Sequence, residues 1–122
     1  MRALVIEDSK AMRSILEGIL DDVGFTVVLT ADAEEALDHL ENDHAFAFAL
    51  VDWNLPGMSG LELVQAIQER PALSDIQLMM VTTETELKRV QEALDAGAHE
   101  YIMKPFDKEM LLEKLVLLGV GG

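Results

Sequence analysis

The sequence predicts an α/β fold of the (βα)5 type, doubly wound, with one mainly parallel five-stranded sheet between helices. Three observations predict it. Five short runs of apolar or β-branched residues recur along the 122-residue chain. Stretches of helical period separate them. Several runs are apolar at successive positions, the pattern of a strand covered on both faces rather than the alternation of a half-solvated one. Strand–helix alternation of this kind requires crossover connections, which are right-handed and give parallel neighbours.

Taken in order, Ala3 to Ile6 forms the first strand. Met12, Ile15, Leu16 and Ile19 follow at i, i+3, i+4 and i+7, one face of a helix. Gly24 falls just past that helix, where a left-handed residue ends it. Phe25 to Leu29 is the second strand, and Ala33, Ala36, Leu37 and Leu40 repeat the helical spacing. Ala45 to Val51 and Ile76 to Val81 are the third and fourth strands, with Leu63, Val64 and Ile67 marking the helix between them. Leu87, Val90 and Leu94 place a fourth helix from Glu84 to Ala96, closed by Gly97. Tyr101 to Met103 is the fifth strand, and Asp107 caps a last helix running to about Leu118. The run Leu78-Met79-Met80 reads as core filling. No linker or low-complexity tract interrupts the pattern, so residues 1–122 read as one domain. Gly119-Val120-Gly121-Gly122 is either a frayed end or the start of a linker.

Composition narrows the function. Nine basic against 23 acidic residues give a formal charge of -14, which repels nucleic acid and anionic membrane and favours cations or basic partners. The absence of cysteine excludes disulfides, thiolate catalysis and Cys-based zinc sites. The chain starts on a strand-like run without the basic and apolar regions of a signal peptide, and no apolar run approaches membrane-spanning length. A cytoplasmic location is the expectation.

In an open parallel sheet, ligands bind beyond the carboxyl ends of the strands. The residues just after runs one, three, four and five are Glu7 and Asp8, Asp52, Thr82 and Thr83, and Lys104. Three carboxylates are thereby brought to one edge. Like charges at such a distance need a cation, or one must keep its proton. Oxygen-only ligands suit Mg²⁺, which is normally shared with a phosphoryl group. Mn²⁺ would fit the same donors.

Glu7-Asp8, Asp52 with Pro56 and Gly60 downstream, Thr82, and Tyr101-Ile102-Met103-Lys104-Pro105-Phe106 closely resemble the receiver domain of two-component response regulators, in particular the stand-alone chemotaxis receivers. The resemblance covers essentially the whole chain. It implies a flavodoxin-like sheet of strand order 2-1-3-4-5. It also implies that Asp52 accepts a phosphoryl group from a histidine kinase or a histidine phosphotransfer protein. Mg²⁺ would be held by Glu7, directly or through water, by Asp8 and Asp52, and by the backbone carbonyl of Asn54. Lys104 would pair with Asp52 and later with a phosphoryl oxygen, and its bond to Pro105 would be cis. Thr82 and Tyr101 would form the switch. Asn54 and Glu84 would tune self-dephosphorylation, expected within seconds to minutes. Tyr101, Met103 and Phe106 would meet a downstream protein on the face of the fourth helix, fifth strand and fifth helix. By this reading the chain is no enzyme toward an external substrate. Thr83 departs from the small residue many relatives carry beside the switch hydroxyl.

Plainer readings exist for single residues. Glu7-Asp8 could be a solvated strand end, Asp52 a turn former with Asn54 and Gly57, Thr82 an N-cap, Tyr101 a static half-buried ring and Lys104 a snorkelling side chain. For Glu7-Asp8, Asp52 and Lys104 the joint occurrence outweighs these; at Thr82 the cap and the switch can both hold, and at Tyr101 the static ring and the rotamer switch both stay open. His39, His44 and His99 join no carboxylate cluster and read as surface residues. A phosphatase of the haloacid dehalogenase type would need an acid two residues after Asp52, where Asn54 stands. An unphosphorylated interaction module is the other alternative.

Overall fold

A computed structural model describes residues 1–43 and 45–120, apart from the side chains of Glu84, Thr85 and Leu87. Along the chain lie β1 (Arg2–Ile6), α1 (Lys10–Asp22), β2 (Thr26–Thr30), α2 (Ala33–Asn42), β3 (Phe48–Asp52), α3 (Gly60–Gln68), β4 (Gln77–Thr82), α4 (Val90–Ala96), β5 (Glu100–Met103) and α5 (Lys108–Leu117). Short 3₁₀ turns cover Pro71–Leu73 and Glu84–Arg89. The sheet runs β2-β1-β3-β4-β5, and all its pairings are parallel.

Alternation along the strands sorts the core into two layers, because successive side chains leave opposite faces. Leu4, Ile6, Ala49, Val51, Leu78 and Met80 point to the side covered by α2, α3 and α4. Ala3, Val5, Phe48, Leu50, Met79 and Val81 point to the side covered by α1 and α5, through Leu16, Leu20, Leu111 and Leu115. The Phe25 and Phe48 rings meet edge to face in this second layer, with centroids 5.0 Å apart. Each fully buried leucine here stabilises the fold by roughly 1.5–3 kcal/mol. Side-chain caps start the helices: Ser9 for α1, Asp32 for α2, Asp107 for α5, and Ser59 for α3 in a reciprocal box with Glu62.

The structure moves several boundaries. β2, β3 and β4 each end one residue later than the apolar runs suggest, because Thr30, Asp52 and Thr82 continue the ladder against Ile6, Val81 and Met103. β3 also begins at Phe48 instead of Ala45. The larger change is the fourth helix, which was expected from Glu84 but starts at Val90. Thr82 is a strand residue and caps nothing. Thr83 instead donates its backbone N–H and its hydroxyl to Glu86 Oε1 at 3.1 and 2.9 Å. The Glu86 N–H returns to the Thr83 carbonyl at 3.0 Å, closing an i→i+3 turn. Arg89, at the N-cap of α4, makes no side-chain cap.

Two glycines allow close packing, one at the end of α4 and one beside Asp52. Gly97 ends α4 at φ 123°, and a Cβ there would meet the Gln68 side chain of α3 at 2.5 Å. At Gly60 a Cβ would lie 2.5 Å from the Asp52 carbonyl oxygen and 3.1 Å from Trp53 Cα. Only glycine lets α3 begin so close to the end of β3. His44 lies outside the described residues.

Candidate functional site

Asp52 closes β3, the central strand, with Glu7 one residue past the end of β1 beside it. The strands are parallel and Ile6 pairs with Val51, so both acids emerge at the same level of the same sheet edge. Ligand atoms of Glu7, Asp8 and Asp52 lie within 4.8 Å of one another. Glu7 and Asp52 are only 3% and 6% exposed, whereas Asp8 faces solvent. The site is a shallow acidic recess with two walled carboxylates and one at its mouth.

Lys104 follows β5 and reaches back across the edge. Its Nζ lies 3.3 Å from Glu7 Oε1 and 3.5 Å from Asp52 Oδ2. The resemblance anticipated the Asp52 pairing; the Glu7 pairing is slightly shorter. The Lys104–Pro105 peptide is cis, as expected. Burial works against the ammonium, but Asp52 and then Glu7 outweigh it, and the pKa of Lys104 is raised. Glu7 moves the other way from an ordinary acid. Burial, and then Asp52 beside it as acceptor and as like charge, lift its pKa to about 8 despite Lys104. Near neutrality and without a metal, Glu7 therefore keeps a proton, one of the two solutions that crowded carboxylates allow.

Two buried polar atoms point to something the protein itself does not supply. Glu7 Oε2 and Thr82 Oγ1 have no hydrogen-bond partner among the described residues. An orphaned carboxylate oxygen beside two further acids, in an all-oxygen donor set, fits a hard divalent cation. The Thr82 hydroxyl, at the end of the neighbouring strand β4, is an idle donor on the same edge. The Asn54 N–H donates to Asp52 Oδ1 at 3.2 Å, so the exposed turn after β3 folds back onto the acid.

A family model described as the response regulator receiver domain matches residues 3–116. The chain belongs to this family. Among its curated relatives, the chemotaxis protein CheY of Pseudomonas aeruginosa is 37% identical over 117 residues, covering 94% of this chain and 93% of that protein. A CheY homolog of Campylobacter jejuni is 41% identical over 123 residues, covering 99% and 95%. The structure of CheY4 from Vibrio cholerae superposes with a TM-score of 0.89 at 32% identity, covering 96% and 97%. A CheY-like receiver from Methanospirillum hungatei gives 0.85 at 38% identity, covering 97% and 93%.

The remaining candidate residues of this receiver are less tightly grouped. Tyr101, on β5, is half-buried, packed against the α4 side of the core, with Lys114 Nζ 4.6 Å from its ring centre. Met103, two residues along and so on the same face, is 38% exposed. Phe106 packs against the layer of α1 and α5 and is partly withdrawn from that face. The Glu84 side chain lies outside the described residues. Trp53, next to Asp52, is buried, with the Arg89 guanidinium 5.3 Å from its ring centre. His39 and His99 are exposed as expected, although His99 Nδ1 also accepts the Leu78 N–H at 2.9 Å. Among the described residues, no helix is long and apolar enough to cross a membrane.

Two contacts escaped the sequence reading. Arg13, one turn into α1, donates from Nη1 to the backbone carbonyls of Glu7 and Asp8. Glu34, at the start of α2, accepts the Met58 N–H at 3.1 Å and so holds the loop between β3 and α3. All three bonds involve backbone atoms, whose positions depend on loop paths that no residue pattern encodes. The one signal for Arg13 was its place a single helical turn after Ser9, since helical side chains lean toward the N-terminus.

Proposed function

We propose that this receiver is a phosphorylation-activated signalling protein in which Asp52 takes a phosphoryl group from the phosphohistidine of a sensor kinase or a histidine phosphotransfer protein. The observation that carries the reading is the meeting of a buried Asp52 with Glu7, Asp8 and the Lys104 ammonium at one strand edge. A carboxylate oxygen of Asp52 attacks phosphorus as the P–N bond to the donor imidazole breaks. The imidazole nitrogen keeps the electron pair and takes up a proton, leaving an acyl phosphate on Asp52. Such transfers depend on positioning and on neutralising the charge of the transferred group. Lys104, a point charge already 3.5 Å from Asp52, does so on one side. Glu7, Asp8, Asp52 and the Asn54 carbonyl would hold Mg²⁺, which when bound supplies positive charge on the other.

The idle Thr82 hydroxyl then gains an acceptor in the phosphoryl oxygens, and its movement, with that of Tyr101, changes the surface of α4, β5 and α5. Output follows through a protein that reads this face, in the manner of chemotaxis regulators, with Tyr101, Met103 and Phe106 as contacts. Hydrolysis resets the switch: water attacks phosphorus, the P–O bond to Asp52 breaks, and inorganic phosphate leaves. Asn54 and Glu84 tune that step, which takes seconds to minutes. The chain catalyses only its own phosphoryl transfer and hydrolysis, and its working place is the cytoplasm.

Trp53 fluorescence tests this directly, because the indole adjoins the phosphoacceptor. Titration with Mg²⁺ and then acetyl phosphate should give two saturable responses in the wild type. Asp52→Asn should abolish the second, together with the mass increase of one phosphoryl group. Absence of both responses and of any mass change at Asp52, in a folded protein, would leave a receiver-shaped binding module.

A further inference from the structure

We infer that Arg13 is a positioning residue for the cation-binding acids: by holding the backbone carbonyls of Glu7 and Asp8, it sets their carboxylates toward Asp52 and strengthens divalent-cation binding. The inference rests on the metal reading above and deepens it.

A single guanidinium nitrogen, Nη1, donates to the Glu7 carbonyl at 2.8 Å and to the Asp8 carbonyl at 3.1 Å. These two carbonyls lie beyond Ile6, the last residue of β1, and so outside its ladders with β2 and β3. Hydrogen bonds from a charged donor are roughly twice as strong as neutral ones. The Arg13 N–H also closes onto the Ser9 carbonyl at 2.9 Å. One residue thus ties the loop from residue 7 to residue 9 by side chain and main chain together.

The charge of Arg13 makes its position informative. A cation near a helix N-terminus opposes the helix dipole, and the first turn of α1 carries no compensating acid. A cation beside a cation site also weakens that site by repulsion. Relief of repulsion among the acids is already provided by Lys104, whose Nζ lies on the carboxylates of Glu7 and Asp52. Nη1 of Arg13 lies on main-chain oxygens instead. Its contribution is geometric: with these carbonyls occupied and fixed, the carboxylates are the oxygens left to face the recess. Groups that support metal ligands in this way are commonly worth 10- to 100-fold in affinity.

The two physical roles predict opposite signs. If Arg13 acts only through its charge, removing it tightens cation binding; if it acts as a brace, removing it weakens binding. The experiment is calorimetric titration with MgCl₂ of wild type, Asp8→Asn, Arg13→Met, Arg13→Gln and Arg13→Lys, with backbone order parameters of Asp8 and Ser9 measured in EDTA. Arg13→Met should bind Mg²⁺ on the order of 10-fold more weakly and should lower the order parameters without metal. Arg13→Lys, which keeps a long cationic donor, should recover part of the affinity. Arg13→Gln is too short to reach and carries the same expectation should Arg13→Met fold poorly. Unchanged or tighter Mg²⁺ binding in the neutral variants overturns the brace, even where stability falls. Wild-type binding that is lost in Asp8→Asn but kept in Arg13→Met removes the brace alone. A folded wild type that binds no Mg²⁺ removes the metal reading and the brace with it.

Discussion

Glu7→Gln should make the metal-free protein progressively more stable than wild type as pH rises. The unfolded carboxyl titrates near 4.5 and the folded one near 8. Between those values the folded protein binds a proton that the unfolded chain has lost. The stability due to the protonated Glu7 is therefore complete below about pH 4.5 and drains away toward pH 8. Each pH unit in that window is worth about 1.4 kcal/mol, which sums to ~2.5 kcal/mol between about pH 5.5 and about pH 7.5. Glutamine keeps the shape and cannot ionise, so it removes this slope. Lys104 does not blur the comparison, because its own pKa is raised from an already basic value and it stays charged throughout. Urea unfolding of both proteins in EDTA across this range measures the difference directly. Saturating Mg²⁺ should reverse the ranking at the upper end, where wild type gains about 2.7 kcal/mol at a hundred times its dissociation constant. Parallel curves in EDTA would refute the reasoning, for they would mean that Glu7 ionises in the folded recess as freely as in the open chain.

Above about pH 8, where Glu7 ionises, Asp52→Asn should raise the thermal midpoint of the metal-free protein by a few degrees, equivalent to about 1 kcal/mol, by removing a buried like charge beside Glu7; calorimetry checks this alongside the loss of phosphorylation. Gly60→Ala should destabilise by about 1–3 kcal/mol or more, because the added methyl meets backbone atoms of Asp52 and Trp53 that cannot move aside. Urea unfolding would show it, and an unchanged midpoint would contradict the close approach of α3. Thr82→Val keeps the shape and deletes a partnerless buried hydroxyl, so it should stabilise the resting form by about 1 kcal/mol. The same change should leave Asp52 phosphorylation intact while blunting the response of α4 and β5, which amide chemical shifts would report.

Much of this architecture was open to reading because burial writes itself into residue type. Strands buried on both faces, such as Ala49-Leu50-Val51, need apolar residues at every position, and the acids that end them stand out by contrast. The site was legible for the same reason: a parallel sheet brings strand ends together, so Glu7, Asp52 and Lys104 could be gathered without coordinates. The segment from Glu84 to Arg89 was not. Its periodic residues Leu87, Val90 and Leu94 suit a helix, but a local bond from Thr83 to Glu86 decides between 3₁₀ and α geometry there. The shift of Glu7 to about 8 was also out of reach, since it depends on how deeply the carboxylate is sunk and how near Asp52 stands. Phe106 shows a similar limit. Its place after a cis proline says little about which of the two core layers the ring will join.

The partnerless hydroxyl of Thr82 bears on how the proposed switch would be biased before any signal arrives. A buried donor without an acceptor raises the free energy of the conformation that contains it by about 1–3 kcal/mol. That handicap falls on the resting form alone, because a phosphoryl oxygen would relieve it. It narrows the gap between the two forms and multiplies the spontaneous population of the switched one by roughly 5- to 150-fold over what a satisfied threonine would allow. In the proposed switch, phosphorylation then has a smaller gap to overcome, and fewer new contacts suffice to move it.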